Sequence, residues 1–380
     1  MTTARALGLA ICLASTSAFA LEQGEYTFNG FGTVGISHLG GEDDSNKGYG
    51  VTGQTTDSWR GDQLSKFGAQ FQYGLSDTAG VTAQVTAKPA QDEWEGNIEW
   101  LYLSWQASDN LMVRGGRLRT PVYMYSESID VGFSYPWLRL PDEVYSQVQL
   151  SNYEGADVVY NLPLSFATLS FQVAAGQAKD RDIFSLDDMH DIDYNEIFGG
   201  NVSLSTNDFG TFRVGYVEAD IKADVRGDFS LLGLDVNDYS FNNLDHQKGK
   251  FTSLGYQYDN GTWLTSNEWT SRVIEADGNS STDAFYLMGG RRFGDFLAHV
   301  TYAQLDEDAG RQKSWTLGLN YNVLPTVAVK GEYKRVDASG GSYSGVFVRD
   351  AQQTVDDRFG LTPTHNPDGD IISVGVDFVF

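Results

Sequence analysis

The residues in this sequence best placed to do chemistry are basic side chains set into segments of alternating character. Lys66, Lys88, Arg213, Lys330 and Lys334 each fall on the polar parity of such a segment. Arg117 and Arg119 share one parity in the stretch 110–119 and Arg114 has the other, with Gly115-Gly116 between them as a candidate register-resetting bulge. The connection Thr120 to Gln149 carries Glu127, Asp130, Asp142 and Glu143, with Arg139 among them. Acids on such a segment facing bases on a wall set up a transverse field in the water between them. That field admits small polar solutes and disfavours apolar ones of the same size, which cannot compensate for the oriented water they displace. Each charge taken singly also fits the solvated face of a sheet, and Arg117/Arg119 against Glu127/Asp130 is the grouping that speaks for a constriction.

Other chemistries find little support. There is no Gly-x-Ser-x-Gly elbow and no His-Glu-x-x-His helix motif. The five histidines, His38, His190, His246, His299 and His365, are scattered over different segments, and His299 lies on a polar parity as a wall residue. The run from Asp187 to Asp193 has ligand types for a hard cation but the spacing of no defined site, so it reads as a solvated external loop. No metal, cofactor or catalytic residue is expected.

The elements that must position these charges are strands. The chain holds 22 Phe, 20 Tyr, 8 Trp and 42 Gly against 8 Pro, a mix that reads as all-β with many turns. Its formal charge of −25 excludes a basic nucleic-acid surface. So many aromatics exclude an acidic disordered chain. Residues 1–20 read as a secretory signal peptide: Arg5, an apolar core from Ala6 to Ala14, and Ala18-Phe19-Ala20 before Leu21. Cleavage there removes the only cysteine, Cys12, so no disulfide framework is available to residues 21–380, which read as one domain.

Alternation is clean. Phe67, Ala69, Phe71 and Tyr73 oppose Lys66, Gly68, Gln70 and Gln72; Trp315, Leu317, Leu319 and Tyr321 oppose Ser314, Thr316, Gly318 and Asn320. A β-sandwich alternates too, but its strands peak near ~5–6 residues, whereas these stretches run to about ten, the length a tilted strand needs to cross a bilayer. Aromatics gather at strand ends, among them Tyr26, Phe28, Tyr73, Tyr160, Tyr256, Tyr321, Phe378 and Phe380, as at a membrane interface. About sixteen segments are countable, including 165–175, 196–205, 210–219 and 250–258. Short turns such as Ser76-Asp77-Thr78, Asp259-Asn260-Gly261 and Leu324-Pro325 alternate with longer polar connections. The pattern predicts a transmembrane antiparallel β-barrel, with turns on the periplasmic side and loops outside.

The last strand sets Ile372, Val374, Val376, Phe378 and terminal Phe380 against Ser373, Gly375 and Asp377. With this ending, the chain resembles the sixteen-stranded trimeric porins of Gram-negative bacteria over essentially residues 21–380. The resemblance implies that Phe380 and Phe378 act as the outer-membrane assembly signal. It also implies that the third external loop, Thr120 to Gln149, folds inside the barrel and narrows the pore. Tyr123, Tyr125, Phe133, Tyr135 and Trp137 in that loop need such burial, or form a slide for a favoured solute. No Pro-Glu-Phe-Gly-Gly stretch occurs there, so a more specialised porin group fits as well as the general porins. The implied function is passive diffusion of small hydrophilic solutes and ions. A channel favouring anions such as phosphate or carboxylates, or sugars, is the second reading, and an outer-membrane hydrolase a remote third. The implied partners are outer-membrane lipid and lipopolysaccharide and two further copies of the chain, with no nucleic acid.

Overall fold

The computed structural model describes residues 21–41, 48–50, 55–90, 93–276, 280–341, 343–361 and 367–380. The expected signal peptide, 1–20, lies outside them. Sixteen strands form one closed barrel in which every neighbour is antiparallel and adjacent in sequence. They are β1 (Tyr26–Gly40), β2 (Lys66–Ser76), β3 (Ala79–Ala90), β4 (Glu93–Ser108), β5 (Leu111–Arg119), β6 (Asn152–Pro163), β7 (Ala167–Ser185) and β8 (Asp188–Thr206), then β9 (Gly210–Leu231), β10 (Leu234–Asp259), β11 (Trp263–Glu275), β12 (Ser280–Phe293), β13 (Phe296–Glu307), β14 (Gly310–Leu324), β15 (Val327–Ser339) and β16 (Asp368–Val379).

The faces follow the parity of the sequence, with the greasy set turned outward. On β4, Leu101, Leu103 and Trp105 are exposed while Trp100, Tyr102 and Ser104 are buried. On β14, Trp315, Leu317, Leu319 and Tyr321 are exposed while Gln312, Ser314 and Asn320 are buried. A soluble protein hides the apolar set; a barrel in lipid exposes it and keeps its polar groups on the lumen side. None of the described helices is long and apolar enough to cross a membrane. Closure joins β1 to β16, where Gly30 and Phe380 exchange two backbone hydrogen bonds of 2.9 Å. The Phe380 ring lies over Gly30 where a Cβ would stand, so a larger residue there would push the ring aside.

The connections differ from expectation. Only three external ones are long: 41–65, 120–151 and 340–367. Most of the stretches 176–195 and 220–249, expected as loops, continue the strands instead, so that β7 and β8 reach 19 residues each, β9 22 and β10 26. The run Asp187 to Asp193 is accordingly the tip and first rungs of a β7–β8 hairpin. Above the bilayer the outer side of a strand meets water, so the apolar half of the alternation fades and the strand signal with it. Bulges break the register there, between Val236 and Tyr239, Ser240 and Asn242, and Leu244 and Gln247. A helix in the last long connection, Ala351–Phe359, begins with an Asp350–Gln353 capping box and ends at left-handed Gly360. It docks on β9, where Gln352 bonds both backbone groups of Ser230.

Candidate functional site: a constriction built by the third loop

Residues 120–151, here called L3, fold into the lumen and are held along their whole length. Near its start, Ser253 donates to the Val122 carbonyl at 2.8 Å, the Met124 amide donates to Glu268 at 2.7 Å, and the Tyr125 hydroxyl reaches Ser266 at 3.1 Å. In the middle, Lys330 on β15 donates to three L3 carbonyls, Gly132, Tyr135 and Trp137, at 2.9, 2.6 and 3.0 Å. Its ammonium also lies 2.6 Å from an Asp377 carboxylate oxygen, off the hydrogen-bond direction, as a buried ion pair. The Trp137 indole donates to Thr301 at 2.8 Å, and the Leu138 amide to Glu332 at 2.9 Å. Gly132 sits so close to Asp377 and Thr33 that a Cβ there would collide with both. Next comes a one-turn helix, Asp142–Tyr145, whose two acids meet Lys334 at 2.9 and 3.4 Å. Gln312 donates to Glu143 at 2.9 Å. The apolar part of L3 does what its composition requires: Tyr123, Tyr125, Tyr135, Trp137 and Val144 are buried in one cluster with wall residues such as Tyr286 and Met288.

A second group of charges forms around Asp130, just before the Lys330 contacts. Asp130 pairs with Arg119, and with Lys88 at 3.6 Å, while Glu99 takes Lys88 at 2.7 Å and Arg119 at 3.2 Å. Lys66 completes it by donating to the Ile129 carbonyl and the Tyr135 hydroxyl at 3.1 and 3.0 Å. Burial alone would raise the Asp130 pKa, but Lys88, Arg119 and Lys66 outweigh it and hold the carboxyl well below the usual carboxylate range. Arg114 forms a two-pronged pair with Asp157 at 2.8 and 2.5 Å and comes within 3.5 Å of Glu127. Arg213 donates to the Pro121 carbonyl at 3.1 Å and makes no ion pair with a described residue. Arg139 bonds Thr55 and Gln63, at 2.6 and 2.5 Å, rather than any wall acid.

Arg117 requires a correction. It pairs across the sheet with Leu101, which is half exposed on the outer side, and its guanidinium bonds Glu154 at 2.7 Å. Alternation through Gly115 and Gly116 is unbroken, so Arg114 takes the lumen position and Arg117 the outer face. Arg119 returns to the interior at the strand end, so the two arginines do not act together and Glu127 meets Arg114 instead. The field expected across open water takes another form at Asp130, Asp142 and Glu143. These acids touch their bases, because L3 lies directly on the wall. Four further acids were not singled out in the sequence: Glu99, Asp157, Glu268 and Glu332, all buried. Parity would have found three of them, since Asp157 alternates with outward Val158 and Tyr160, Glu268 shares the inward set with Ser266 and Thr270, and Glu332 with Lys330 and Lys334. A register shift opposite Ile98 and Trp100 hides Glu99 from any parity count.

A closed sixteen-strand barrel with a lipid-facing apolar belt and a loop packed into its polar lumen defines the class: a diffusion channel of the outer membrane. The chain belongs to the Gram-negative porin family, whose model matches residues 6–341. It therefore forms a water-filled channel for passive diffusion of small hydrophilic solutes and ions, and spans the outer membrane as a multi-pass barrel. Solved structures similar in fold include OmpT of Vibrio cholerae (TM-score 0.60, 13% identity, 94% of this chain and 98% of that one). An anion-selective porin from Comamonas acidovorans gives 0.58 at 16% identity over 94% and 100% of the two chains. The outer-membrane channel DcaP of Acinetobacter baumannii gives 0.57 at 11% over 94% and 98%. A comparison with curated protein sequences gives no match.

Proposed function

We propose that solutes pass between L3 and the wall formed by β5 to β9, and that Arg213 and Glu127 set the field they meet there. The observation that carries this reading is the division of labour among the lumen bases. Lys330, Lys334 and Arg119 are each paired with buried acids. Arg213 stands on the same inner surface, reaches L3 at the Pro121 carbonyl and makes no ion pair with a described residue. An unneutralised guanidinium in a narrow, low-dielectric frame acts on passing ions far more strongly than a paired one. Reversal potential across a planar bilayer in a KCl gradient tests it: Arg213→Glu moves the potential towards cation preference, and an unmoved potential removes Arg213 from the path.

We also infer that the protein works without a catalytic step, since the family and the fold are those of a channel. The functional unit is taken to be a homotrimer seated among lipid and lipopolysaccharide. Supporting this, one of the similar structures is a trimer form of Vibrio cholerae OmpT. Sedimentation of the detergent-solubilised protein at three times the protomer mass is the expected result.

A further inference from the structure

The extended hairpins above the constriction enclose a second site. Along the inward parity of β8, β9 and β10, the side chains change character with height. Nearer the periplasmic end they are polar or basic, as at Asn201, Ser203, Arg213 and Ser253. Towards the external end the same inward face, carried across the bulges, holds Ile192, Ile197, Val217, Ile221, Leu244 and Phe251, all buried. These residues line a cavity of about 540 Å³, floored by Gln147 to Leu150 of L3. A packed core leaves few voids larger than one water, which occupies roughly 30 Å³ in the liquid. The space here is instead that of a small-molecule site, with an apolar wall and polar groups at its borders, Glu218 and Asp308 among them. A passage for small ions gains nothing from an oily vestibule, so the apolar lining calls for a different occupant.

One cation reaches into this cavity from the wall. Arg272, on the inward parity of β11, donates to the Gln147 carbonyl at 2.9 Å and to Thr282 at 2.8 Å. Its Nε has no hydrogen-bond partner among the described residues, and Glu307 pairs with it loosely at 3.7 Å. Lys250 also borders the cavity, but it lies on the outer parity and pairs with Glu275. Arg213 comes next on the way down: Arg272 is level with Phe251 of β10, and Arg213 with Gly255, four residues nearer the periplasmic end.

We propose that this vestibule binds amphipathic monocarboxylates, with the apolar body against Ile192, Val217, Ile221 and Phe251 and the carboxylate at Arg272. The inference rests on the channel reading above and names a solute class that the channel favours. After capture, Arg213 is the following cation on the descent through the constriction.

The test uses the purified, reconstituted protein and its KCl current, with phenylacetate added on the external side. Acetate is the control lacking an apolar body, and phenethylammonium carries the same body with the opposite charge. Phenylacetate is expected to block or slow the current at a concentration on the order of tenfold below acetate, from burial of the ring. Ile221→Ser should remove most of that advantage, and Arg272→Gln should abolish the preference for phenylacetate over phenethylammonium. The three probes on the unaltered protein decide the matter even where a variant fails to fold. Equal action of phenylacetate and acetate overturns the apolar site, and stronger action of phenethylammonium overturns the carboxylate assignment. A persisting KCl conductance in either case leaves the channel reading intact, whereas absence of any KCl conductance removes the channel reading itself.

Discussion

Replacing Lys330 with methionine tests how L3 is kept inside the barrel. The change keeps most of the side-chain volume and deletes one ammonium, which is buried, serves three L3 carbonyls and pairs with Asp377. Removing one partner of a buried ion pair costs about 3–5 kcal/mol, because the other charge stays behind unpaired. Asp377 keeps the Thr33 hydroxyl at 2.5 Å, and the lumen admits water once the loop lifts, so the lower end of that range applies. At about 3 kcal/mol the ratio of detached to docked L3 rises roughly 150-fold. Single-channel recording at fixed voltage reads this as more frequent, larger-conductance substates in Lys330→Met. The double variant Lys330→Met/Asp377→Asn removes the stranded charge and should recover more than half of the effect. Substate occupancy within about threefold of the parent, in a protein that still runs as a folded barrel, would refute the tether; the threefold margin is well below the shift calculated from the pair. A double variant as disturbed as the single would refute the attribution to Asp377.

Other outcomes follow from the same geometry. Arg117→Glu, on the outer face, should leave the reversal potential where it is, in contrast to Arg213→Glu, and a shift in the same bilayer assay would return Arg117 to the lumen. Because Asp130 is held below the ordinary carboxylate range, its contribution is present above that range and is lost only as pH falls through the depressed folded value. The difference in substate occupancy between the parent and Asp130→Asn should therefore hold constant from neutral pH down to about 4, the usual carboxylate value; a difference that closes between pH 6 and 5 would contradict the pairing. Deleting Phe380 removes a ring stacked 6.5 Å from Phe378 and seated over Gly30. Heat-modifiability on gels should then show most of the protein unassembled, and normal assembly would take the signal role from this residue.

The barrel was legible because lipid imposes alternation residue by residue: Trp315 to Tyr321 and Ile372 to Phe380 announce their outer face directly. The same rule fails where lipid ends. The upper halves of β7 to β10 have water outside and a partly apolar vestibule inside, so the expected polarity is blurred and their strands read as loops. Within the site, the composition of L3 signalled its burial, since Tyr123, Tyr125, Tyr135 and Trp137 have no place in water. Which base each acid meets was not legible. It depends on how L3 lies against the wall, as with Glu127, which finds Arg114 because Gly115-Gly116 does not reset the register. Local irregularity decides such cases, and Glu99 at its register shift is another.

The central claim is an open, water-filled path through the barrel, and current through single protein molecules in a planar bilayer tests it most directly. The account predicts discrete conductance steps whose size follows the conductivity of the bathing salt. A protein that folds as a heat-modifiable barrel, inserts into the bilayer and passes no current would contradict it.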